Sequence, residues 1–276
     1  IQDYTRIIEL DGNDALPYLS RGVDYAVLGK YDLAIQDYTK VIELDSKDSW
    51  AYYGRGDSYA KRSQFDLAIQ DYTKAVELDP KLASAYEKRG GIYRRRKQYD
   101  LAIQDYTKAI ELDPKDSVYY SRGNIYLGKM QYGPAIRDFT RAVELNPKNE
   151  SAYRSRGSIY VSNGQDDLAL QDYTTALELN PENAGAYNER GGIYSRKKQY
   201  DLAIQDFSKA IALNPEDAKV YYNRGLSYRQ RTQFDLALQD FTKAIKLDPA
   251  LALAYFNRAS TYDKTRQFDL AIQDYT

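Results

Sequence analysis

Eight arginines in this chain each stand sixteen residues before an aspartate: Arg21 and Asp37, Arg55 and Asp71, Arg89 and Asp105, Arg122 and Asp138, Arg156 and Asp172, Arg190 and Asp206, Arg224 and Asp240, Arg258 and Asp274. Such pairs could offer a row of charges to ligands, or close on each other as an internal ion-pair ladder. A guanidinium on a core-side position is costly unless an acid compensates it. Here the acid recurs as often as the base, so the structural ladder is the preferred reading. Other chemistry is thin. The 276 residues contain no Cys and no His, which removes thiol nucleophiles, disulfides, Cys/His metal sites and imidazole acid–base catalysis. A carboxylate-only metal site or Lys-based chemistry survives that arithmetic, but there is no Gly-rich phosphate loop, nucleophile elbow or metal-ligand spacing. The chain therefore reads as a non-enzyme, with no metal and no cofactor expected. With 39 basic and 40 acidic residues, it lacks the basic excess of a dedicated nucleic-acid or anionic-membrane binder. No apolar run approaches the roughly 18–20 residues needed to span a bilayer. No signal peptide is visible, and a first residue of Ile1 rather than Met reads as a fragment, which leaves the compartment open.

The elements that must position these charges follow from a repeat. The string LAIQDYTK occurs at 33–40, 67–74 and 101–108. Its alanine recurs as Ala34, Ala68, Ala102, Ala135, Ala169, Ala203, Ala237 and Ala271, in steps of 34 except for the 33 between Ala102 and Ala135. The missing residue falls in a linker, because Pro114 precedes Tyr119 by five residues where Pro80 precedes Tyr86 by six. Each unit predicts two helices. Tyr18, Arg21, Gly22 and Tyr25 share one face of the first, and Ala34, Tyr38, Val41 and Leu44 share one face of the second, widened by Ile35 and Ile42. Asp32 and its equivalents fall where an N-cap or first-turn acid would favour the second helix. Where Gly133-Pro134 replaces Asp-Leu, Pro is placed at the first helical position. Asp/Asn-Pro at 79–80, 113–114, 146–147, 180–181, 214–215 and 248–249 ends the second helix, since the residue before Pro disfavours helical backbone. Neither helix can bury its face alone. Stacked neighbours can, which predicts an all-α solenoid.

The pattern Tyr-x2-Arg-Gly-x2-Tyr, then Ala-x3-Tyr/Phe, then Pro, at a period of 34, resembles the tetratricopeptide repeat. That resemblance implies a right-handed superhelical solenoid of stacked antiparallel helix pairs. The expected organisation is a second helix of a truncated repeat at 1–14, complete repeats at 15–48, 49–82, 83–115, 116–149, 150–183, 184–217 and 218–251, and a truncated repeat at 252–276. Two departures from the family pattern stand out. Tyr replaces the usual Trp (Tyr18 through Tyr255), and Arg replaces the usual Leu before Gly in every repeat. In the family, first helices line a concave surface that binds extended peptides or partner helices, so the resemblance implies an interaction scaffold. A structural module that stacks end to end is the alternative. Co-chaperone members clamp a C-terminal carboxylate with Lys and Asn one turn apart on the first helix. Here the matching pairs are Tyr53/Asp57, Tyr120/Asn124 and Arg154/Ser158, so chaperone-tail binding is disfavoured.

Comparing the repeats with one another separates scaffold from site. The Gly rung from Gly22 to Gly225, ending in Ala259, is expected to let the paired helix approach closely, at a cost of about 1 kcal/mol per helical Gly relative to Ala. The Tyr rung from Tyr25 to Tyr262 and the Tyr/Phe rung from Tyr38 to Tyr275 lie on the core face. They read as packing between repeats rather than as a stacking platform for bases. The Arg could also face the acid of the preceding repeat, eighteen residues earlier. That spacing drops to seventeen between Asp105 and Arg122, whereas sixteen never changes, which favours pairing within the repeat. The positions that vary form another face of the first helix. The candidate contact residues are Leu19, Val23, Tyr53, Asp57, Glu87, Arg94, Tyr120, Asn124, Arg154, Ser158, Asn188, Tyr222, Leu226, Arg229 and Phe256. Leu16, Leu19, Val23, Trp50 and Tyr53 form an apolar, aromatic entrance, and Trp50 is the single Trp of the chain. The basic runs 94–97 and 196–198 read as solvated turns. At the two ends, the pieces 1–14 and 252–276 lack a polar capping helix, so head-to-tail self-association through uncovered repeat faces is an expectation.

Overall fold

Each complete repeat places a 13-residue helix before a 14-residue one, and local sequence accounts for both boundaries. Five first helices open on an Asp or Asn cap, whereas the three preceded by Leu82, Lys115 and Leu251 make no side-chain cap bond. Asp48 accepts from the Ala51 amide at 2.9 Å, Asn149 from Ala152 at 3.1 Å and Asn183 from Ala186 at 3.0 Å, which satisfies amides the helix itself leaves free. They close on a left-handed residue. Gly29 has φ 72°, and the Lys30 amide reaches back to the Tyr25 carbonyl at 2.8 Å, a Schellman closure. At the equivalent turns Ser63, Lys97, Met130, Lys198, Thr232 and Arg266 hold φ between 57° and 60°, a region that costs residues with a Cβ. Second helices stop one residue before the Asp/Asn. Asp79 then accepts from the Lys81 amide at 2.9 Å, turning the chain toward the next repeat.

A computed structural model describes residues 1–276, all in helices and their connections, with seventeen α-helices and no strand. They fall into two compact units. Unit 1, Ile1–Leu145, contains α1 (Gln2–Leu10), α2 (Ala15–Val27), α3 (Tyr31–Leu44), α4 (Ser49–Lys61), α5 (Phe65–Leu78), α6 (Ala83–Arg95), α7 (Tyr99–Leu112), α8 (Asp116–Gly128) and α9 (Tyr132–Leu145). Unit 2, Asn146–Thr276, contains α10 (Glu150–Ser162), α11 (Asp166–Leu179), α12 (Ala184–Arg196), α13 (Tyr200–Leu213), α14 (Ala218–Gln230), α15 (Phe234–Leu247), α16 (Ala252–Lys264) and α17 (Phe268–Tyr275). Within each unit a first helix packs most closely on its own second helix, and each second helix also packs on the first helix that follows it. This stacking of antiparallel pairs is what buries the core.

One layer shows how. Ala68, Tyr72, Ala75 and Val76 of α5 are buried with Ala85 and Ile92 of α6, and Tyr52, Tyr59 and Tyr86 pack around them. Fully burying a large apolar side chain contributes about 1.5–3 kcal/mol, and the layer repeats. The Gly rung fits the ring beside it: a methyl on Gly56 would lie 3.1 Å from the Tyr72 ring, and one on Gly225 2.8 Å from Phe241 Cε1. One local expectation changes, and a second settles on one of its two alternatives. Pro134 is the third residue of α9, not the first; it is tolerated because the first-turn amides lack helical partners anyway. Asp32, Asp66 and their equivalents lie inside the first turn, while the N-cap positions Lys30 and Gln64 make no side-chain cap bond.

Candidate functional site

The arginine rung lies in the seam behind the variable face. Arg21 donates from Nε to Asp37 Oδ2 and from Nη2 to Asp37 Oδ1, both at 2.8 Å. The same two-pronged contact joins Arg to the Asp sixteen residues later in all eight repeats, at 2.6–2.9 Å. The acids from Asp37 to Asp240 are buried. The fork to Asp37 raises the Arg21 pKa against the cost of burial. At Arg122 and Arg224 burial is the largest single effect and lowers the pKa. The bonds and charge of the paired Asp, helped by nearby Tyr rings, still raise it there, as they do at every later Arg. Bidentate geometry of this kind is the strong form of a charge-assisted bond. Two further partners escaped the sequence reading. Nη1 of the Arg donates to a hydroxyl on the preceding second helix: Arg55 to Thr39 at 3.2 Å, Arg89 to Thr73 at 2.9 Å, Arg224 to Ser208 at 2.9 Å. The Tyr three residues before each Arg lies beneath its guanidinium at 5.6–5.8 Å in every repeat, within cation–π range. The hydroxyl had a visible signal, a Thr or Ser two residues after the Asp. One arginine thereby ties three helices, and no buried side-chain nitrogen or oxygen is left without a partner.

The basic runs are engaged rather than merely solvated. Arg96 pairs with Asp66 at 2.6 Å and Lys129 with Asp100 at 2.6 Å, and Arg62 meets Asp32. In unit 2, Arg196 pairs with Asp166 at 2.6 Å, Lys197 with Asp167 at 2.7 Å and Arg231 with Asp201 at 3.0 Å. Arg95 lies 4.8 Å from the Phe65 ring centre. The first-turn acids thus pair with the turn of the following repeat, a contact between residues about thirty positions apart that helix periodicity cannot show. Such exposed pairs contribute about 0–1 kcal/mol each.

The variable face differs between the units. In unit 1, Leu16 is 65% exposed, Val23 47% and Trp50 56%, while Leu19 and Tyr53 are half-buried. Trp50 meets Tyr53 edge-on at 5.8 Å, and Tyr53 leans on the buried Tyr72 at 5.9 Å. Tyr72 donates its hydroxyl to Asp57 Oδ1 at 3.3 Å. Lys88 Nζ is 3.9 Å from Asp57, and Lys115 Nζ is 3.7 Å from Glu87. Tyr120 leans on Phe139 at 5.8 Å, and Asn124 donates to the Tyr120 carbonyl of its own helix at 2.9 Å. Arg94 and Asn124, with Tyr99, Ile125 and Gly128, line a cavity of about 210 Å³. In unit 2 the side chains bond to one another or to their own helix. Arg154 pairs with Glu150 at 3.4 Å, Ser158 donates to the Ser155 carbonyl at 2.8 Å, Asn223 donates to Asn188 at 3.1 Å, and Asn257 donates to the Tyr222 hydroxyl at 3.1 Å. Leu226 and Arg229 are half-buried. Phe256 is exposed and lies 6.0 Å from Tyr275. No helix is long and apolar enough to cross a membrane.

Antiparallel helix pairs stacked at a 34-residue period define a helical-repeat protein. The tetratricopeptide repeat family matches at residues 49–82, 83–116, 117–149 and 218–251. Two further models of the same repeat match at 24–63, 157–198 and 192–230, and at 241–273. The chain belongs to the tetratricopeptide repeat family. A comparison with curated proteins found no match. Among solved structures it is similar to YrrB, described as a TPR protein with an unusual peptide-binding site, at 28% identity and TM-score 0.60 over 64% of this chain and 92% of that one. It is similar to MamA at 28% identity and TM-score 0.57, covering 63% and 96%. The C-terminal part of a TPR repeat-containing protein from Cytophaga hutchinsonii, 23% identical, shares the fold at TM-score 0.68 over 80% of this chain and 92% of that one.

Proposed function

We propose that this chain is a protein-interaction scaffold that holds a peptide or partner-protein segment against the first-helix face of unit 1, with Trp50 and Tyr53 as anchors. The observation that carries this reading is the exposure of Trp50 beside Leu16 and Val23, on a scaffold whose other large aromatics are mostly buried or half-buried. Exposed apolar clusters mark contact surfaces, and large aromatics dominate their energetics. Tyr53 is held from below by Tyr72, so the ring is already ordered and loses little freedom on binding. The peptide-binding site ascribed to YrrB supports the same use of the fold. The assigned task is binding rather than catalysis.

The test is a pull-down with the whole chain as bait, followed by affinity measurement on the identified partner. Trp50→Ala combined with Tyr53→Ala is expected to weaken binding by about 30-fold or more, as loss of two anchors at 1 kcal/mol or above each implies. Helical circular dichroism should stay unchanged. An unaltered affinity would place the site elsewhere.

A further inference from the structure

The first-helix face of unit 1 is not simply apolar. On α2 and α4, which lie against each other, Leu16, Val23 and Trp50 are exposed. Two carboxylates border this patch. Asp57 follows Tyr53 by one turn on α4, and Glu87 occupies on α6 the place that Tyr53 holds on α4, thirty-four residues on. Tyr72 bonds Asp57 at 3.3 Å and lies 5.9 Å from the Tyr53 ring, and Lys88, next to Glu87 on α6, reaches Asp57 at 3.9 Å, so the two acids and Tyr53 share one stretch of the face. Burial first, then Asp57 and Glu87, push the Tyr53 hydroxyl up to about 12. The Asp57 carboxylate is steadied by the Tyr72 hydroxyl, yet a third of its side chain is open, as is that of Glu87. Their neighbouring cations are loosely placed. Lys88 stands 3.9 Å from Asp57, Lys115 stands 3.7 Å from Glu87, and Lys115 makes its closer contact, 2.8 Å, with Asp113. Both longer separations exceed a normal N–H···O bond.

Acceptor oxygens with spare capacity, set against an aromatic face, are what an organic cation binds best. The ring face attracts the charge within about 6 Å, and the carboxylates add charge-assisted bonds. A bare metal ion is a poor occupant, since no group of three carboxylates converges anywhere on the chain. The exposed patch beside the acids asks for apolar neighbours on the same ligand.

We propose that the first-helix face of unit 1 selects a peptide carrying an Arg or Lys side chain, which enters between Tyr53, Asp57 and Glu87 while the apolar residues flanking it pack on Trp50 and Val23. This rests on the peptide-binding reading of the same face and adds the chemical class of the ligand. Lys88 is then a competitor for Asp57, so its removal strengthens binding.

The probe is a displayed library of random twelve-residue peptides selected on the whole chain, with the best binder resynthesised carrying citrulline or norleucine in place of its basic residue. Selected peptides are expected to carry Arg or Lys flanked by apolar residues. The neutral replacement should weaken binding about tenfold, and added salt should weaken the parent peptide more than the neutral one. Asp57→Asn with Glu87→Gln should abolish that tenfold preference while leaving the neutral peptide's affinity unchanged, and Lys88→Ala should raise the parent's affinity. Peptides that need Trp50 but show no preference for a basic residue, or prefer an acidic one, overturn this inference and leave the scaffold reading standing. Peptides indifferent to Trp50→Ala with Tyr53→Ala, or a library that yields no binder, overturn both. A mass that doubles with concentration and reverts on Trp50→Ala assigns the face to a second copy of the chain and overturns the peptide ligand.

Discussion

Gly191 and Gly192 are adjacent on α12 and face opposite demands. A methyl group on Gly191 would lie 2.9 Å from Phe207 Cε1, inside any real contact distance, whereas one on Gly192 would meet nothing within 4 Å. The same division runs along every first helix. One face meets its own second helix, and there Gly, Arg and two Tyr recur with almost no variation. The adjoining face changes from repeat to repeat, from Leu19 to Tyr53 to Glu87 to Arg154. Constancy here reflects contact geometry copied along the stack, because within each unit a repeat meets its neighbour in the same way. Where the partner is not another repeat, the residues are released to differ.

The largest test of this division is on the ladder. Arg89→Ala leaves Asp105 buried without its guanidinium and is expected to cost about 3–5 kcal/mol, read from urea unfolding. Adding Asp105→Ala should recover a large part of that loss, because the uncompensated charge is gone. A single-variant loss under about 1 kcal/mol would place the pair with exposed ion pairs and dissolve the contrast between the faces.

The glycines sharpen the comparison at the scale of one methyl group. Gly191→Ala is expected to destabilise by about 1–3 kcal/mol, since overpacking against Phe207 outweighs the gain in helix propensity. Gly192→Ala should stabilise by about 0.5–1 kcal/mol, from propensity alone. Two thermal melts moving in the same direction would show that the face does not decide. The smallest effect lies at the turns. Thr232 is β-branched and sits at φ 59°, where Gly carries no steric penalty, so Thr232→Gly should raise stability by up to about 1 kcal/mol after the added freedom of the unfolded chain is subtracted. The same turn position already holds Gly at Gly29 and Gly164, with φ 72° and 70°. A lowered melting temperature for Thr232→Gly would mean that the threonine makes a compensating contact.

Much of the architecture was legible without coordinates. The period of 34 and the two apolar faces required paired helices that bury themselves only by stacking, and the motif residues named the family that the repeat matches establish. These features depend on local backbone preference and on periodicity, which a linear chain carries in full. The invariant spacing of sixteen likewise favoured the acid of its own repeat as the partner of each arginine. Tertiary structure alone decided the rest. It set the third tie from Arg55 to Thr39 and the turn pairs such as Arg96 with Asp66. It also brought Lys88 of α6 to within 3.9 Å of Asp57 on α4. Contacts of that kind depend on the rotation and rise from one repeat to the next. No single helix encodes that step, because it arises only when the side chains of two neighbours settle into one packed seam.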